Sequence, residues 1–316
     1  MVTATAATLI RCLWEHNRNT HTHSQAVKLM SEGKRSVRST DIHLESVHPS
    51  VVMTTSVLGG SSGVPAPVVP IDVTMLAALG LAPGYSVVSK FGRNPTIDLN
   101  DTEDIWTVGG SRTWLSAAST LEAIGGGTDT AAGAGAQSIT LQGLDANFNY
   151  YQEDLEMNAG VATAPTSKAF VRINRAFVNR VGTYGGSNTA DITIRISGGG
   201  AVQTNILTGK GQTEQTHYSV ATGYTALILY VYLTVDGLKT ISGELYQRPG
   251  INDVVTPFTQ GARKVWGLVG TSGGSERHFH SPVPIVGPAD IWWEATSAAN
   301  GTEVEAGFDL LLKSIG

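Results

Sequence analysis

The chain has 316 residues, 37 of them glycine, with a formal net charge of −5 and only 15% charged side chains. An ordinary soluble protein carries about 25% charged residues. With no basic stripe either, the pattern excludes the clustered phosphate neutralisation that nucleic-acid binding needs. The single cysteine, Cys12, excludes an intramolecular disulfide framework and any multi-cysteine zinc site.

Residues 1–70 open the chain with a segment poor in core-forming residues. It holds five of the eight histidines, His16, His21, His23, His43 and His48. Met1–Ile10 lacks a basic start and is followed by Arg11, which makes it a poor secretory signal. Ser24–Ser31 has the spacing of one short helix. The segment ends in Gly59–Gly63 and the proline-rich Val64–Pro70, stretches that read as extended connection. Residues 1–70 are therefore expected to form an extended N-terminal arm or linker, shaped by contacts with neighbouring subunits.

Residues 71–136 read as a mixed, loop-rich connecting region. Val73–Leu79 predicts one or two helical turns, stopped by Gly80 and Pro83-Gly84. Tyr85–Phe91 predicts a strand, followed by a loop through Asn94-Pro95. Thr113–Ala123 fits helix and strand equally, and Gly125–Gly135 is a small-residue loop.

From residue 137 to 316 a period-2 pattern takes over. It predicts strands at Ser138–Gln142, Lys168–Val181, Asp191–Ser197, Ala201–Leu207, Glu214–Val220, Tyr224–Val235, Lys239–Tyr246, Lys264–Val269, Arg277–His280, Ala289–Thr296 and Val304–Lys313. Asp236-Gly237 and Asn300-Gly301 are hairpin dipeptides, because both central positions tolerate positive φ. About eleven short antiparallel strands at this spacing imply a mainly-β chain with a β-sandwich or jelly-roll-like body. Ala226–Leu233, the most apolar run, is far shorter than the ~18–20 residues of a membrane helix, so no membrane partner is expected.

Few motifs carry chemistry. Gly-x-Ser-x-Gly occurs at Gly59–Gly63 and Gly270–Gly274, but neither precedes the helix that a nucleophile elbow requires. Glu153, Asp154 and Glu156 form the densest acidic cluster, read as a solvated loop or strand edge. Arg172, Arg175 and Arg180 alternate with apolar residues and read as the solvated or interfacial face of a strand. Trp266, Trp292 and Trp293 offer a sugar-stacking platform, although alternation puts Trp292 and Trp293 on opposite faces, one core and one interfacial. His278 and His280, at i and i+2 of a strand, project together. Beside a trimer axis, three such pairs supply six nitrogens to an octahedral metal; the alternative is a pair of surface imidazoles. His21 and His23 share the spacing without the strand. No catalytic, cofactor-binding or metal-ligating residue is assigned, and no cofactor is expected.

The run Phe91-Gly92-Arg93-Asn94-Pro95-Thr96-Ile97-Asp98, followed by Glu103-Asp104-Ile105-Trp106 and Gly109-Gly110, resembles a group of virion structural proteins of tailed bacteriophages. The resemblance continues through Asp129–Ala136 and Leu141–Asp145, then faintly at Val220–Ala226 and from Ala289 to Leu312. It departs after the tryptophan, where the group has an aspartate and a third glycine and this chain has Thr107-Val108-Gly109-Gly110.

The resemblance implies a non-enzymatic bacteriophage structural protein, located in the virion after assembly in the host cytoplasm. Its partners are other virion proteins and further copies of itself, with a trimer favoured. Capsid decoration or cementing is the leading expectation. A tail-associated adaptor or fibre base, and a host-glycan-binding module, are the alternatives.

Overall fold

The computed structural model describes residues 42–47, 50–55 and 69–315, other than residues 159 and 259. The chain divides into two compact units, Met1–Met75 and Leu76–Gly316.

In the first unit, β1 (Ile42–Val47), β2 (Ser50–Thr55) and β3 (Val69–Asp72) form an antiparallel sheet in that order. Part of the segment expected as an extended arm is thus a small meander. The register of β1 on β2 runs from Ile42 opposite Thr55 to Val47 opposite Ser50. The helix α1 (Val73–Ala78) follows at the predicted place. Asp72 caps it by accepting from the Thr74 amide at 2.8 Å. Gly80, at φ +69°, ends it in the left-handed conformation that favours glycine. Ser24–Ser31, Cys12, His21, His23 and Gly59–Gly63 lie outside the described residues.

The second unit is two sheet-on-sheet sandwiches, with every strand pair antiparallel. The larger takes β4 (Tyr85–Ile97), β5 (Thr102–Asp104), β12 (Tyr218–Val220), β13 (Tyr224–Val235), β14 (Ile241–Pro249), β15 (Arg263–Thr271), β16 (Gly274–Val286), β17 (Ala289–Ser297) and β18 (Thr302–Ser314). One sheet runs β16-β13-β18-β4 and the other β12-β17-β14-β15, with β5 beside β17. Ile228, Val231, Leu233, Leu245, Trp293, Phe308 and Leu310 fill the space between them.

The smaller sandwich is inserted between β5 and β12. It consists of β6 (Leu121–Ile124), β7 (Ala136–Asp145), β8 (Tyr150–Glu156), β9 (Phe170–Val181), β10 (Ile192–Ile196) and β11 (Val202–Ile206). Sheet β8-β7-β9 packs on β11-β10-β6 through Leu121, Ile139, Leu141, Ile173, Ile192 and Ile194.

The mainly-β, sandwich-like expectation is met, and each of the eleven predicted segments contains a strand. Alternation explains most of this, and bulges explain its interruptions. In β13 the buried set is Ala226 and Ile228, then Val231, Leu233 and Val235. A bulge between Ile228 and Tyr230 changes the parity, keeping apolar side chains on the core face.

Three features differ from expectation. Residues 71–136 are no mere connection, since they supply β4, β5 and β6. Strand β4 also continues through Asn94-Pro95, pairing with β18 from Tyr85 opposite Lys313 to Ile97 opposite Thr302. Pro95 is tolerated because β4 is an edge strand with a bulge near this point. Finally, Glu214–Val220 shortens to Tyr218–Val220, because Thr213 and Thr216 bond instead to the Ala176 and Ile105 carbonyls.

Candidate functional site

Strand β9 is where the two sandwiches join. Val171, Arg172, Ile173 and Asn174 are all buried. Ile173 packs inside the smaller sandwich, while Arg172 and Asn174 reach the larger one. The Arg172 guanidinium donates two bonds to Asp290 of β17, at 2.9 and 3.0 Å, and a third to the Leu115 carbonyl. Ser219 Oγ donates to the same carboxylate at 2.6 Å. Asn174 closes the joint through the Ser219 backbone, donating to its carbonyl and accepting from its amide. Trp114 lies against Arg172, and the Arg248 guanidinium lies over both Trp114 and Trp292.

His217 sits in the same region with no exposure. Its Nε2 donates to Asp104 at 2.8 Å, and Trp106 and Trp114 meet its ring edge-on. Nδ1 has no hydrogen-bond partner among the described residues, so a second ring proton would go unshared. Burial lowers the imidazole pKa to about 4, although the Asp104 bond pulls the other way.

The sign of the pH effect follows. Between the unfolded value of ~6.5 and about 4, the unfolded chain takes up a proton that the folded ring refuses. The stability held by His217 is complete above that window and is lost as pH falls through it. The loss amounts to up to about 3 kcal/mol. Urea unfolding at pH 7.5 and 4.5 should show a smaller difference in His217→Asn than in the parent protein.

Beside the joint lies a cleft of about 470 Å³, bounded by β4, β7, β8, β9 and Tyr218 of β12. Its polar lining includes Lys90, Gln142, Tyr150, Gln152, Asn174 and Arg175, and no carboxylate lines it. Lys90 is buried and donates from Nζ to the Asn174 carbonyl. Burial, then the nearby Arg112 and Arg175 charges, hold its pKa well below the usual lysine value. Arg175 stacks on Phe177 and donates to Gln212. Gln142 donates to Gln152 across the strand pair at 3.2 Å, and the hydroxyls of Tyr150 and Tyr218 meet at 2.7 Å. A second hollow, of about 380 Å³, opens over Trp114, Arg248 and Phe258; Asp253 also lines it.

The residues singled out by sequence are scattered. Ser272 sits in the hairpin between β15 and β16 and is followed by a strand, so no elbow forms there. Glu153, Asp154 and Glu156 lie on β8, an edge strand. Each is engaged: Glu153 accepts from Ser167 and Tyr151, Asp154 from Thr140, and Glu156 pairs with Arg180. Of the three arginines expected on a solvated or interfacial strand face, Arg175 and Arg180 are exposed, whereas Arg172 is buried in the joint between the sandwiches.

The tryptophan platform is also corrected. Trp293 is core, Trp266 meets it edge-on within the same core, and Trp292 is buried beneath Tyr246, Trp114 and Arg248. His278 and His280 lie exposed on the edge strand β16, with the Tyr230 ring 4.5 Å from His278. Among the described residues no three His, Cys, Asp or Glu side chains gather as a metal site, and no helix is long and apolar enough to cross a membrane. Sequence reasoning missed the Lys90 cleft altogether. Arg175 and Gln142 stand in stretches the sequence does mark, but nothing there brings them beside Lys90, which comes from β4, much earlier in the chain.

No protein-family model and no curated protein matches the chain. Among solved structures it is similar to that of the infectious bursal disease virus Gx strain, with a TM-score of 0.22 and 10% identity, covering 73% of each chain. Similarity to the Gt strain structure has a TM-score of 0.21 and 9% identity, covering 76% of this chain and 77% of that one. Scores this low carry no argument about function.

Proposed function

We propose that the protein is a structural component of a bacteriophage particle, a decoration or cement protein that binds neighbouring capsid subunits as a trimer. The observation supporting this best is the use made of the residues that carry the resemblance: they hold strands together. Asn94 Nδ2 donates to Glu103 and to the Asp104 carbonyl. Asp104 accepts from the Arg112 amide and from His217. Trp106 Nε1 donates to the Gly110 carbonyl, and the Gly110 amide returns a bond to Glu103. Asp129 accepts from the amides of Ala136, Thr189 and Ala190. Side chains committed in this way maintain a shape, and a maintained shape serves adhesion.

The surface has material for such adhesion. Leu238, Val255 and Val269 are 98%, 72% and 83% exposed. Burying apolar area of this kind contributes roughly 25 cal/mol per Å², on a surface where little charge must be desolvated.

The test is the protein's position in intact particles, determined by cryo-electron microscopy, together with incorporation of a variant lacking residues 1–70. Density on the capsid lattice, and loss of the truncated protein from particles, are the expected results. Density with three-, six- or twelve-fold symmetry at the tail would replace decoration with a tail role. Full incorporation of the truncated protein would remove the subunit-bridging role given to the arm.

A further inference from the structure

We infer that the cleft beside Lys90 binds the carboxylate-bearing ring of an acidic sugar. The inference is independent of where the protein sits in a particle.

The first argument is charge. The chain has 26 acidic and 21 basic side chains, yet the cleft is lined by Lys90 and Arg175 with no carboxylate. A site for neutral sugars needs strong acceptors for hydroxyl protons, a task suited to Asp and Glu. Here the side-chain acceptors are amides and hydroxyls, so the ligand is the partner expected to bring the negative charge. Arg175 is already oriented, with one face on Phe177 and one nitrogen engaged by Gln212. Its remaining N–H groups can donate to a planar carboxylate, the geometry guanidinium favours.

The second argument is shape and polarity. A volume of about 470 Å³ falls within the ~300–1,000 Å³ of small-ligand sites and is far larger than a simple inorganic anion. Tyr150 and Tyr151 add ring surface, while Gln142 and Gln152 supply both donors and acceptors for hydroxyls. Lys90 adds the third argument. Burial first, and then the charges of Arg112 and Arg175, disfavour its ammonium. A ligand carboxylate provides the opposite charge missing from that surrounding.

The experiment is a glycan array, followed by calorimetry, using the full chain. Oligosaccharides ending in glucuronate, galacturonate or sialate are compared with the same compounds after reduction of the carboxyl group to an alcohol. Binding of at least one acidic form, with the reduced form at least about tenfold weaker, is the expected result. Arg175→Gln should weaken the acidic ligand by about tenfold or more, with an unchanged melting temperature because the side chain is exposed. If that variant folds poorly, Gln152→Ala, also exposed, serves instead and should weaken binding severalfold. No binding by any acidic sugar, equal binding of reduced forms, or indifference to these substitutions overturns the inference. So does capture of an oligoglutamate peptide in place of the sugars.

Discussion

Arg172→Ala is expected to destabilise the second unit by about 3–5 kcal/mol, because it strands the Asp290 carboxylate in the joint between the sandwiches. Asp290 has no exposure, and three of its hydrogen bonds come from Arg172 and Ser219. Removing the guanidinium leaves one hydroxyl to solvate a full charge. The double variant Arg172→Met, Asp290→Leu should recover much of the loss, since two apolar side chains carry no desolvation penalty. The exposed pair Arg180–Glu156 provides the comparison, and Arg180→Ala should cost less than about 1 kcal/mol. Urea unfolding followed by tryptophan fluorescence measures all three. A cost for Arg172→Ala no larger than that of Arg180→Ala would show that this ion pair does not hold the joint.

Gly143→Ala is expected to be nearly as damaging, at about 3 kcal/mol or more, through steric collision. A Cβ at this position would lie 2.0 Å from the Arg172 carbonyl oxygen and 2.9 Å from its carbon. Those are backbone atoms, so β7 and β9 must separate at the point where Arg172 enters the joint. Gly237→Ala, with nothing within 4 Å and no positive φ, should stay within about 0.5 kcal/mol of the parent. Equal melting temperatures for the two variants would contradict the close approach of β7 and β9.

The strands between 137 and 316 were legible because one face of each meets a core. Alternation marks Ile192 and Ile194 in β10 as readily as Leu245 in β14. For β8 the sequence leaves a solvated loop or a strand edge open, because polar side chains are tolerated on either face of an edge strand. The sequence pattern ends β4 early because Pro95 signals a break, and a sequence does not say that a strand is at an edge. The burial of Arg172 is not legible in the sequence because its strand touches two cores, so the side directed away from one sandwich is still buried.

Composition and periodicity by themselves determined that this chain folds as antiparallel β, with sparse charge on its surface and tight turns at its glycines. These are local properties, set by which side chain follows which. Tertiary structure alone decided that residues 85–104 complete the sandwich ending at Ser314, that His217 and Asp290 are buried, and that Lys90 and Arg175 share one cleft. Each depends on strands far apart in the chain, and pairing between distant segments is set by whole-chain burial that no local pattern encodes.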